Sequence, residues 1–270
     1  MSGNNGQAGR GVINKAVAVL EAFTPDRREL SLNQIAQITG LPLSTAYRTA
    51  GELTGSGILE RVDQGGYRIG LRLYELGSYA QRAVSMLSVV VPFMQDLYEV
   101  THETVQLAVL DGEEALYIEK LYGPRSPSVR SVRGGRLPLH CTGTGKLLLA
   151  YAPPELTQRL VGAGLRRFTA HTIVDGRELN RALAEIRRSG LSFQREEIEP
   201  NLASVAAPVR DATDTVVAAL SVVMRAGPNR LRQLAPAVRT AAVSASREMH
   251  ERGVLGSNTE GLLQLMHSGG

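Results

Sequence analysis

Apolar residues recur at helical spacing early in the chain and predict a helix-turn-helix. The apolar positions form two stripes, one of Leu32, Ile35, Ala36 and Ile38 and one of Ala46, Tyr47, Ala50 and Leu53. Ser31 and Gln34 have the spacing of a capping box, so the first helix is predicted to begin near Leu32. Gly40 suits the end of that helix, and Pro42 suits the first turn of the next. Two helices joined so tightly are expected to cross steeply.

A β-hairpin signal follows the second helix. Residues 58–62 and 67–70 are strand-like and flank a Gly-rich turn at 63–66. A hairpin in this position is the wing of a winged helix-turn-helix. An upstream amphipathic helix is predicted to support the pair through Ile13, Ala16, Val17, Leu20 and Phe23. Residues 11–70 are therefore predicted to form a DNA-binding domain.

The second helix and the wing supply the candidate DNA contacts. They are Ser44, Thr45, Tyr47, Arg48 and Thr49 on the helix and Arg61, Tyr67 and Arg68 on the wing. Arg48 is the first candidate for reading a base, because arginine suits a bidentate hydrogen bond to guanine. The alternative is a surface ion pair between Arg48 and Glu52, which lie four residues apart. Gly51 inside this helix costs about 1 kcal/mol relative to alanine, and close packing is the explanation that the sequence suggests.

The pattern changes after the wing and predicts a second, larger domain. A helix continues through Leu73, Leu76, Gly77, Ala80 and Ala83 and is predicted to link the domains over residues 71–88. Residues 105–121 hold two strand-like runs around Asp111 and Gly112, a hairpin signal. Further strands are predicted at 128–140, 202–209 and 215–224, and helices at 89–100, 144–151, 178–189 and 228–253. This mixture of hairpins and helices indicates an α+β domain over residues 89–254.

Composition limits the number of domains and their partners. The 270 residues allow about two domains, and the segments 1–10 and 255–270 are predicted to be disordered tails because they are rich in Gly, Ser and Asn. The net charge of +4 is compatible with nucleic acid, but the basic excess around the helix-turn-helix is small, which favours a paired module. The lone cysteine excludes an internal disulfide and suits a reducing compartment. Without a long apolar run or a secretory pattern at the N-terminus, the chain is expected to be cytoplasmic and to bind no membrane.

One glycine-rich segment resembles a nucleotide-binding loop without completing it. The segment 141–147, CTGTGKL, has His140 and Leu147 where a phosphate-binding loop needs Gly and Ser or Thr. Gly143 and Gly145 do open a predicted helix, whose first N–H groups suit an anion. An ordinary strand-to-helix turn explains these glycines equally well.

The residues of the larger domain do not assemble a catalytic site. His140 and Cys141 are neighbours on a predicted strand and point to opposite faces, which favours Cys141 as a small buried apolar residue. The histidines are scattered without the spacing of metal ligands. Glu196 and Glu197 are interpreted as part of a solvated loop. No catalytic residue, metal or cofactor is therefore predicted, while an enzyme that uses Cys141 or Glu196 and Glu197 stays as an alternative.

Two motifs of the larger domain resemble those of the IclR family of bacterial transcriptional regulators. They are GGRLPLHCTGTGKLLLA and GLSFQREEIEPNLASVAAPV, and with the winged helix-turn-helix and linker the resemblance covers residues 11–252. It implies a homodimer or a dimer of dimers that binds operator DNA through its N-terminal domains. It also implies a GAF-like C-terminal domain that binds a small-molecule effector, with organic acids as the candidate class. A constitutive DNA-binding protein without an effector is the other alternative.

The resemblance also implies which residues bind the effector. Carried over by position, they are Val129, Gly143, Thr144, Gln194, Leu202, Ser204 and Ser221. Family members that bind small acids can have a carboxylate where Gln194 stands and a cysteine where Ser204 stands, so the effector of this chain is open. The hypothesis for its action is that effector binding alters how the C-terminal domains pair, and that the linker helix then changes the spacing of the two recognition helices.

Overall fold

The computed structural model describes residues 11–24, 26–63, 65–79, 81–227 and 229–256, with the backbone alone at 81–84. The chain divides into two compact units, Met1–Ala80 and Gln81–Gly270. The predicted tails lie outside the described residues, except for residues 255 and 256. These two belong to the folded chain, since the N–H of Gly256 is buried and donates to Asp211 Oδ2 at 3.2 Å. The predicted C-terminal tail therefore begins too early.

The first unit is a winged helix-turn-helix, as the sequence predicts. Its elements are α1 (Val12–Glu21), β1 (Glu29–Leu30), α2 (Leu32–Thr39), α3 (Leu43–Gly55), β2 (Leu59–Arg61), β3 (Tyr67–Ile69) and α4 (Leu71–Ser78). The capping box is present, with the Ser31 hydroxyl accepting a hydrogen bond from the N–H of Gln34 at 3.3 Å. Gly40 ends α2 in the left-handed conformation, at φ 68°. The pattern does not predict β1, since two residues are too few to show an alternation.

The core of this unit is built from the predicted apolar stripes. It contains Val19 of α1, Ile35 of α2 and Ala46 of α3, together with Leu59 and Tyr67 of the wing. The three short strands pair antiparallel in the order β1-β3-β2. The core thus holds α3 against α1, α2 and the wing. The side of α3 that faces away from this core is exposed.

The predicted linker over residues 71–88 is two helices. After α4 ends at Ser78, a new helix, α5 (Gln81–Thr101), begins. Met86, Val89 and Met94 of α5 are buried in the core of the second unit. The second unit therefore begins within the predicted linker, at Gln81, and α5 contributes to its core from Met86 onwards.

The second unit has the predicted α+β fold. After α5 it contains β4 (Thr104–Asp111), β5 (Glu114–Leu121), β6 (Arg136–Pro138), α6 (Gly143–Tyr151), α7 (Pro154–Ala163), α8 (Gly176–Ser189), β7 (Ser192–Arg195), β8 (Leu202–Arg210), β9 (Val216–Arg225) and α9 (Arg230–Glu251). The strands form one sheet in the order β6-β5-β4-β9-β8-β7, and each neighbouring pair is antiparallel. The helix α7 is absent from the prediction. None of the helices in the described ranges is both long and apolar enough to cross a membrane.

The strand predicted at 128–140 is mostly loop. Only β6 is a strand there, because Gly134 takes a positive φ of 76° and interrupts the extended chain. The loop still follows β5, since the N–H of Gly134 donates to the Tyr117 carbonyl at 2.7 Å and the N–H of Tyr117 donates to the Gly135 carbonyl at 2.9 Å. The segment before β6 is thereby held against β5.

The two faces of the sheet pack against different helices. Because side chains alternate along a strand, Leu220 and Val222 of β9 join the core beneath α5 and α9. Ala219 of β9 and Ala206 of β8 point to the other face, where α6 packs. These alanines are small enough for α6 to approach the sheet closely. The start of α6 therefore lies directly over the strands.

Candidate DNA-contact face and ligand cavity

The exposed side of α3 presents three of the predicted DNA-contact residues, Ser44, Tyr47 and Arg48, in a single strip. We name it the recognition face, and it consists of Ser44, Tyr47, Arg48, Gly51 and Glu52, all exposed. The predicted alternative for Arg48 is not seen, since no ion pair joins its guanidinium to Glu52 or to another side chain in the described residues. Gly51 is not closely packed, because an added Cβ would meet no atom within 4 Å. The expected packing explanation for this glycine is therefore wrong.

Two of the predicted DNA contacts are core residues. Thr49 is 6% exposed and Tyr67 is 2% exposed. Thr49 lies three residues after the buried Ala46, on the stripe that faces α1 and α2, so helical spacing alone could have assigned it to the core. Tyr67 points from β3 into the same core, and the Arg61 guanidinium lies over its ring at 5.2 Å from the centroid. Because these two side chains are buried, the prediction that they contact DNA is wrong.

The two wing arginines differ in their contacts within the protein. Arg68 Nε is 2.9 Å from Glu60 Oε2, and Glu60 also accepts a hydrogen bond from the N–H of Leu71 at 3.1 Å. That backbone bond, followed by the bond from Arg68, lowers the pKa of Glu60. Arg61 is exposed and held by the Tyr67 ring. Thr45, at the start of α3, is partly buried.

All seven predicted effector-binding residues line one cavity in the second unit. The cavity is narrow, about 30 Å³ in volume, and opens to solvent at its mouth. The sequence analysis missed the remaining lining residues, which are Gln106, Tyr117, Ser131, Leu137, Thr142, Ile198, Glu199 and Val223. They come from strands β4, β5 and β9, from β6 and the loop before it, from the N-cap of α6 and from the loop after β7. No local pattern marks them, since they are far apart in the sequence and meet only in the folded sheet.

The N-terminus of α6 opens into this cavity with two available N–H groups. The Thr142 hydroxyl caps the helix by accepting from the N–H of Gly145 at 3.0 Å, and the Thr142 carbonyl accepts from Lys146 at 2.9 Å. The N–H groups of Gly143 and Thr144 have no acceptor among the described residues, as expected for a first helical turn. They carry the positive end of the helix dipole, which favours an anion.

Gly143 allows this helix start to touch the sheet. An added Cβ would lie 2.5 Å from Ser204 Oγ, closer than real side chains approach. Gln194 faces the same serine from the neighbouring strand. In the amide orientation that satisfies both of its ends, the Gln194 oxygen accepts from the N–H groups of Glu197 (2.6 Å) and Glu196 (3.1 Å), and its nitrogen donates to Ser204 Oγ (3.3 Å). Gln194 thus joins the wall of the cavity to the loop after β7.

Hydroxyl and amide groups line the inner part of the cavity. The hydroxyls of Tyr117 and Thr144 are hydrogen-bonded at 2.8 Å. Burial raises the pKa of Tyr117 to about 12, so its phenol stays protonated at neutral pH. The Gln106 amide donates to the Ser131 hydroxyl. The Ser221 hydroxyl is buried and has no hydrogen-bond partner among the described residues.

A buried ion pair supports the cavity wall from outside the lining. Lys146 Nζ of α6 contacts Glu197 Oε1, and both side chains are at least nine-tenths buried. Glu197 is therefore not in a solvated loop, contrary to the prediction, whereas Glu196 is partly exposed. Burial raises the pKa of Glu197, and the attraction of Lys146 opposes this only in part. A lysine within the apolar run of α6 is the sequence signal that could have indicated this pair.

The groups considered for catalysis are in environments that oppose it. Cys141 is fully buried, and burial, with Glu197 adding to it, raises the pKa of its thiol to about 12. The reactive thiolate is then scarce at neutral pH. His140 Nε2 lies 2.9 Å from the Arg166 carbonyl, and burial lowers the pKa of the ring. Within the described ranges, no three His, Cys, Asp or Glu side chains cluster as metal ligands would.

The charge of the lining limits how an acid can be held. Glu199 is the acidic residue of the lining, and its side-chain oxygen accepts a hydrogen bond from the N–H of Arg130 at 3.0 Å. The described lining contains no Lys, Arg or His. A carboxylate in the cavity would therefore be held by backbone N–H groups, hydroxyls and amides rather than by an ion pair.

Comparison with known proteins gives matches over both units. Residues 12–63 match the model of the IclR helix-turn-helix domain, and residues 79–247 match that of the bacterial transcriptional regulator IclR C-terminal domain. The chain is 36% identical over 218 residues to the HTH-type transcriptional repressor AllR of Klebsiella pneumoniae, covering 80% of each chain. It is 32% identical over 211 residues to the HTH-type transcriptional regulator XynR of Escherichia coli, covering 77% of this chain and 84% of the relative.

A solved structure matches nearly the whole fold. It is an IclR homolog from Microbacterium hydrocarbonoxydans in complex with 4-hydroxybenzoate, with a TM-score of 0.85 and 33% identity. The match covers 89% of this chain and all of that one. The Thermotoga maritima IclR structure matches with a TM-score of 0.70 and 27% identity, over 88% of this chain and 98% of that one.

Proposed function

The chain belongs to the IclR family of bacterial transcriptional regulators, and from this premise we propose that a small carboxylic acid bound in the cavity sets its affinity for operator DNA. The observation that carries the proposal is the α6 N-terminus, where the N–H groups of Gly143 and Thr144 open into a cavity with polar walls. These donors suit a carboxylate. The relative with 4-hydroxybenzoate bound shows that an IclR homolog of the same fold takes such an acid.

The recognition face is proposed to enter the major groove of the operator. Ser44, Tyr47 and Arg48 are exposed on it, and Thr45 lies at its edge. Arg48 supports base readout best, because its guanidinium is exposed and not engaged in an ion pair within the described residues. Arg61 and Arg68 of the wing are proposed to contact phosphates, which position a protein on DNA without reading its sequence.

The working unit is proposed to be a homodimer or a dimer of dimers. The small basic excess around the helix-turn-helix supports two copies of the module on one operator. The helix α4 adds support, because its Leu71, Tyr74 and Leu76 are exposed, as is Tyr79 directly after it, and apolar surface of this kind favours association. An acid would then act by binding one arrangement of the dimer more tightly than another. Such a regulator would act in the cytoplasm, with the DNA.

The first half of the test measures acid binding. The probes are 4-hydroxybenzoate, benzoate, pyruvate, propionate and lactate. Their binding is detected by the shift of the melting temperature of the full chain. An acid that binds the native state should raise this temperature in a concentration-dependent way. Affinity for DNA recovered from a random pool is then measured with and without that acid. A protein that none of the probes stabilises, and whose DNA affinity none of them changes, contradicts the proposal.

The second half assigns the binding to the α6 N-terminus. Gly143→Ala places a methyl group against Ser204 at the two N–H groups, so the response to the acid should be lost. Gly162→Ala is the control, because it adds a methyl group to the exposed side of α7, where nothing lies within 4 Å. A Gly143→Ala protein that binds the acid as tightly as the wild type would exclude this site.

A further inference from the structure

The cavity is too narrow for the acid that is proposed to bind in it. Its volume is about 30 Å³, which is enough for a few water molecules at most. Pockets that hold small organic ligands are typically about 300–1,000 Å³ in volume. Part of the wall must therefore move before an acid with a carbon chain or a ring can enter.

Most of the wall is held by regular secondary structure. Strands β4, β9 and β8 are paired with one another along the cavity. The helix α6 packs against them, and Gly143 allows it to approach Ser204 closely. Displacing any of these elements would break several backbone hydrogen bonds or expose apolar core. The parts of the wall that can move at lower cost are the two loops at the mouth.

The loop before β6 contributes a short span, residues 128–130, to the wall. The loop is held on both sides of this span. The Pro127 carbonyl accepts from the Thr104 hydroxyl at 3.3 Å, and the Ser131 carbonyl accepts from Lys120 Nζ at 2.8 Å. Between these anchors, the first two residues of the span make no hydrogen bond to any residue that the structure describes.

The loop after β7 contributes a second span, residues 198–200. It is also held on both sides. The Glu197 carbonyl accepts from the Thr172 hydroxyl at 2.6 Å, and the Asn201 carbonyl accepts from the N–H of Ala226 at 2.8 Å. The backbone of the span itself makes no hydrogen bond within the described part of the chain.

A single hydrogen bond joins the two spans in the described residues. The N–H of Arg130 donates to Glu199 Oε2 at 3.0 Å. Arg130 is also held by its guanidinium, which lies 6.0 Å from the centroid of the Phe168 ring. Val129 and Ile198, the neighbours of the two bonded residues, line the cavity. Parting the spans would therefore widen the cavity without displacing a strand or a helix.

We propose that residues 128–130 and 198–200 form a gate over the cavity and that Glu199 is its latch. Glu199 is a positioning residue, because it acts through the backbone of Arg130 and needs no contact with the acid. The inference rests on the proposed function, since an acid is what passes the gate. Entry and release both require the same bond to break, so the latch limits the rates of both.

Hydrogen exchange of the full chain without ligand tests the latch. Glu199→Ala removes the acceptor, whereas Glu199→Gln removes the charge and keeps a side-chain oxygen. The amide of Arg130, measured by NMR, should exchange about tenfold faster in Glu199→Ala than in the wild type, the effect of one hydrogen bond. Glu199→Gln should retain most of the protection, and exchange in β8 should be unchanged in both variants. Equal exchange at Arg130 in the wild type and Glu199→Ala overturns the inference.

The rates of acid binding test the gate. Association and dissociation are measured by stopped flow for benzoate, 4-hydroxybenzoate and propionate. Relative to Glu199→Gln, which lacks the same charge, Glu199→Ala should raise both rate constants about tenfold and change Kd much less. Equal rate constants in the two variants would show that the acid enters without parting the spans, which overturns the inference and leaves acid binding intact. If no acid binds the wild type, the proposed function fails instead, and the exchange at Arg130 decides the latch alone.

Discussion

The recognition face and the ligand cavity use polar side chains in opposite ways. On the recognition face, Tyr47 and Arg48 are exposed and neighbours on a single helix. Around the cavity, groups such as Gln194 and Thr144 are buried and hydrogen-bonded to other parts of the fold. Polar groups on the recognition face are therefore available to a partner, whereas most polar groups around the cavity also hold the second unit together. Substitutions should follow this division, altering affinity on α3 and stability around α6.

The largest effect on stability is expected from Lys146→Met. It leaves the Glu197 carboxylate buried without its cation, and breaking a buried pair in this way typically costs about 3–5 kcal/mol. Urea unfolding of the full chain, followed through the transition of the second unit, measures the loss at neutral pH. The control is Arg136→Met, which breaks the half-exposed pair with Asp111 and should cost less than about 1 kcal/mol. Equal losses in the two variants would contradict a buried role for Lys146.

The same variant should show a pH dependence of known sign. Burial raises the pKa of Glu197 in the folded protein, so the folded state holds this proton more readily than the unfolded state. Its contribution to stability is present below the ordinary glutamate pKa of 4.5 and is lost as the pH rises through the folded pKa. Lys146→Met removes the attraction that opposes this shift. The loss of stability should therefore be smaller at pH 5, where the unpaired carboxyl group takes up a proton more readily, than at pH 8. Equal losses at the two pH values would contradict this expectation.

The sequence predicts the first unit more completely than the second because its signals are local. The capping box at Ser31 and the turn at Gly40 lie within ten residues, and both are present in the structure. In the second unit the long strands β8 and β9 follow from their apolar runs, but the loop before β6 does not, because Gly134 disrupts an alternating pattern. The sequence also does not predict the burial of Tyr67, since an aromatic residue on a wing strand gives the same pattern whether it faces the core or DNA.

The cavity shows a further limit of reasoning from one sequence. The predicted lining residues Gly143 and Ser204 come together as expected from the family resemblance, not from spacing. Gln106 and Tyr117 lie on one local hairpin, β4 and β5, and this hairpin joins the rest of the lining because β4 pairs with β9, a contact between distant segments. The ion pair of Lys146 with Glu197 also joins residues 51 positions apart. Charged residues in loops are usually solvated, so a lysine within the apolar run of α6 indicates a buried pair without identifying Glu197 as its partner.

On the recognition face, Arg48→Ala should act on DNA binding rather than on the fold. Loss of a bidentate contact to a base costs about 1–3 kcal/mol per site and relaxes the preference at that base pair. Fluorescence anisotropy with selected and scrambled DNA measures both effects. Arg232→Ala on the exposed side of α9 is the control, because it removes the same charge from the second unit. Unchanged affinity together with unchanged sequence preference would remove Arg48 from base readout.

The smallest effect, and the one that separates the two surfaces most sharply, is expected from Gly51→Ala. The new methyl group meets no atom within 4 Å, and alanine is a better helix former than glycine, so the free energy of unfolding should rise by about 0.5–1 kcal/mol. DNA affinity should fall, because the methyl group projects from the recognition face between the turns that carry Arg48 and Gly55. Gly162→Ala on α7 should stabilise without affecting DNA. A more stable Gly51→Ala protein with wild-type DNA affinity would show that DNA does not approach this part of α3. Higher stability together with lower DNA affinity means that glycine at position 51 leaves room for DNA and makes the helix less stable.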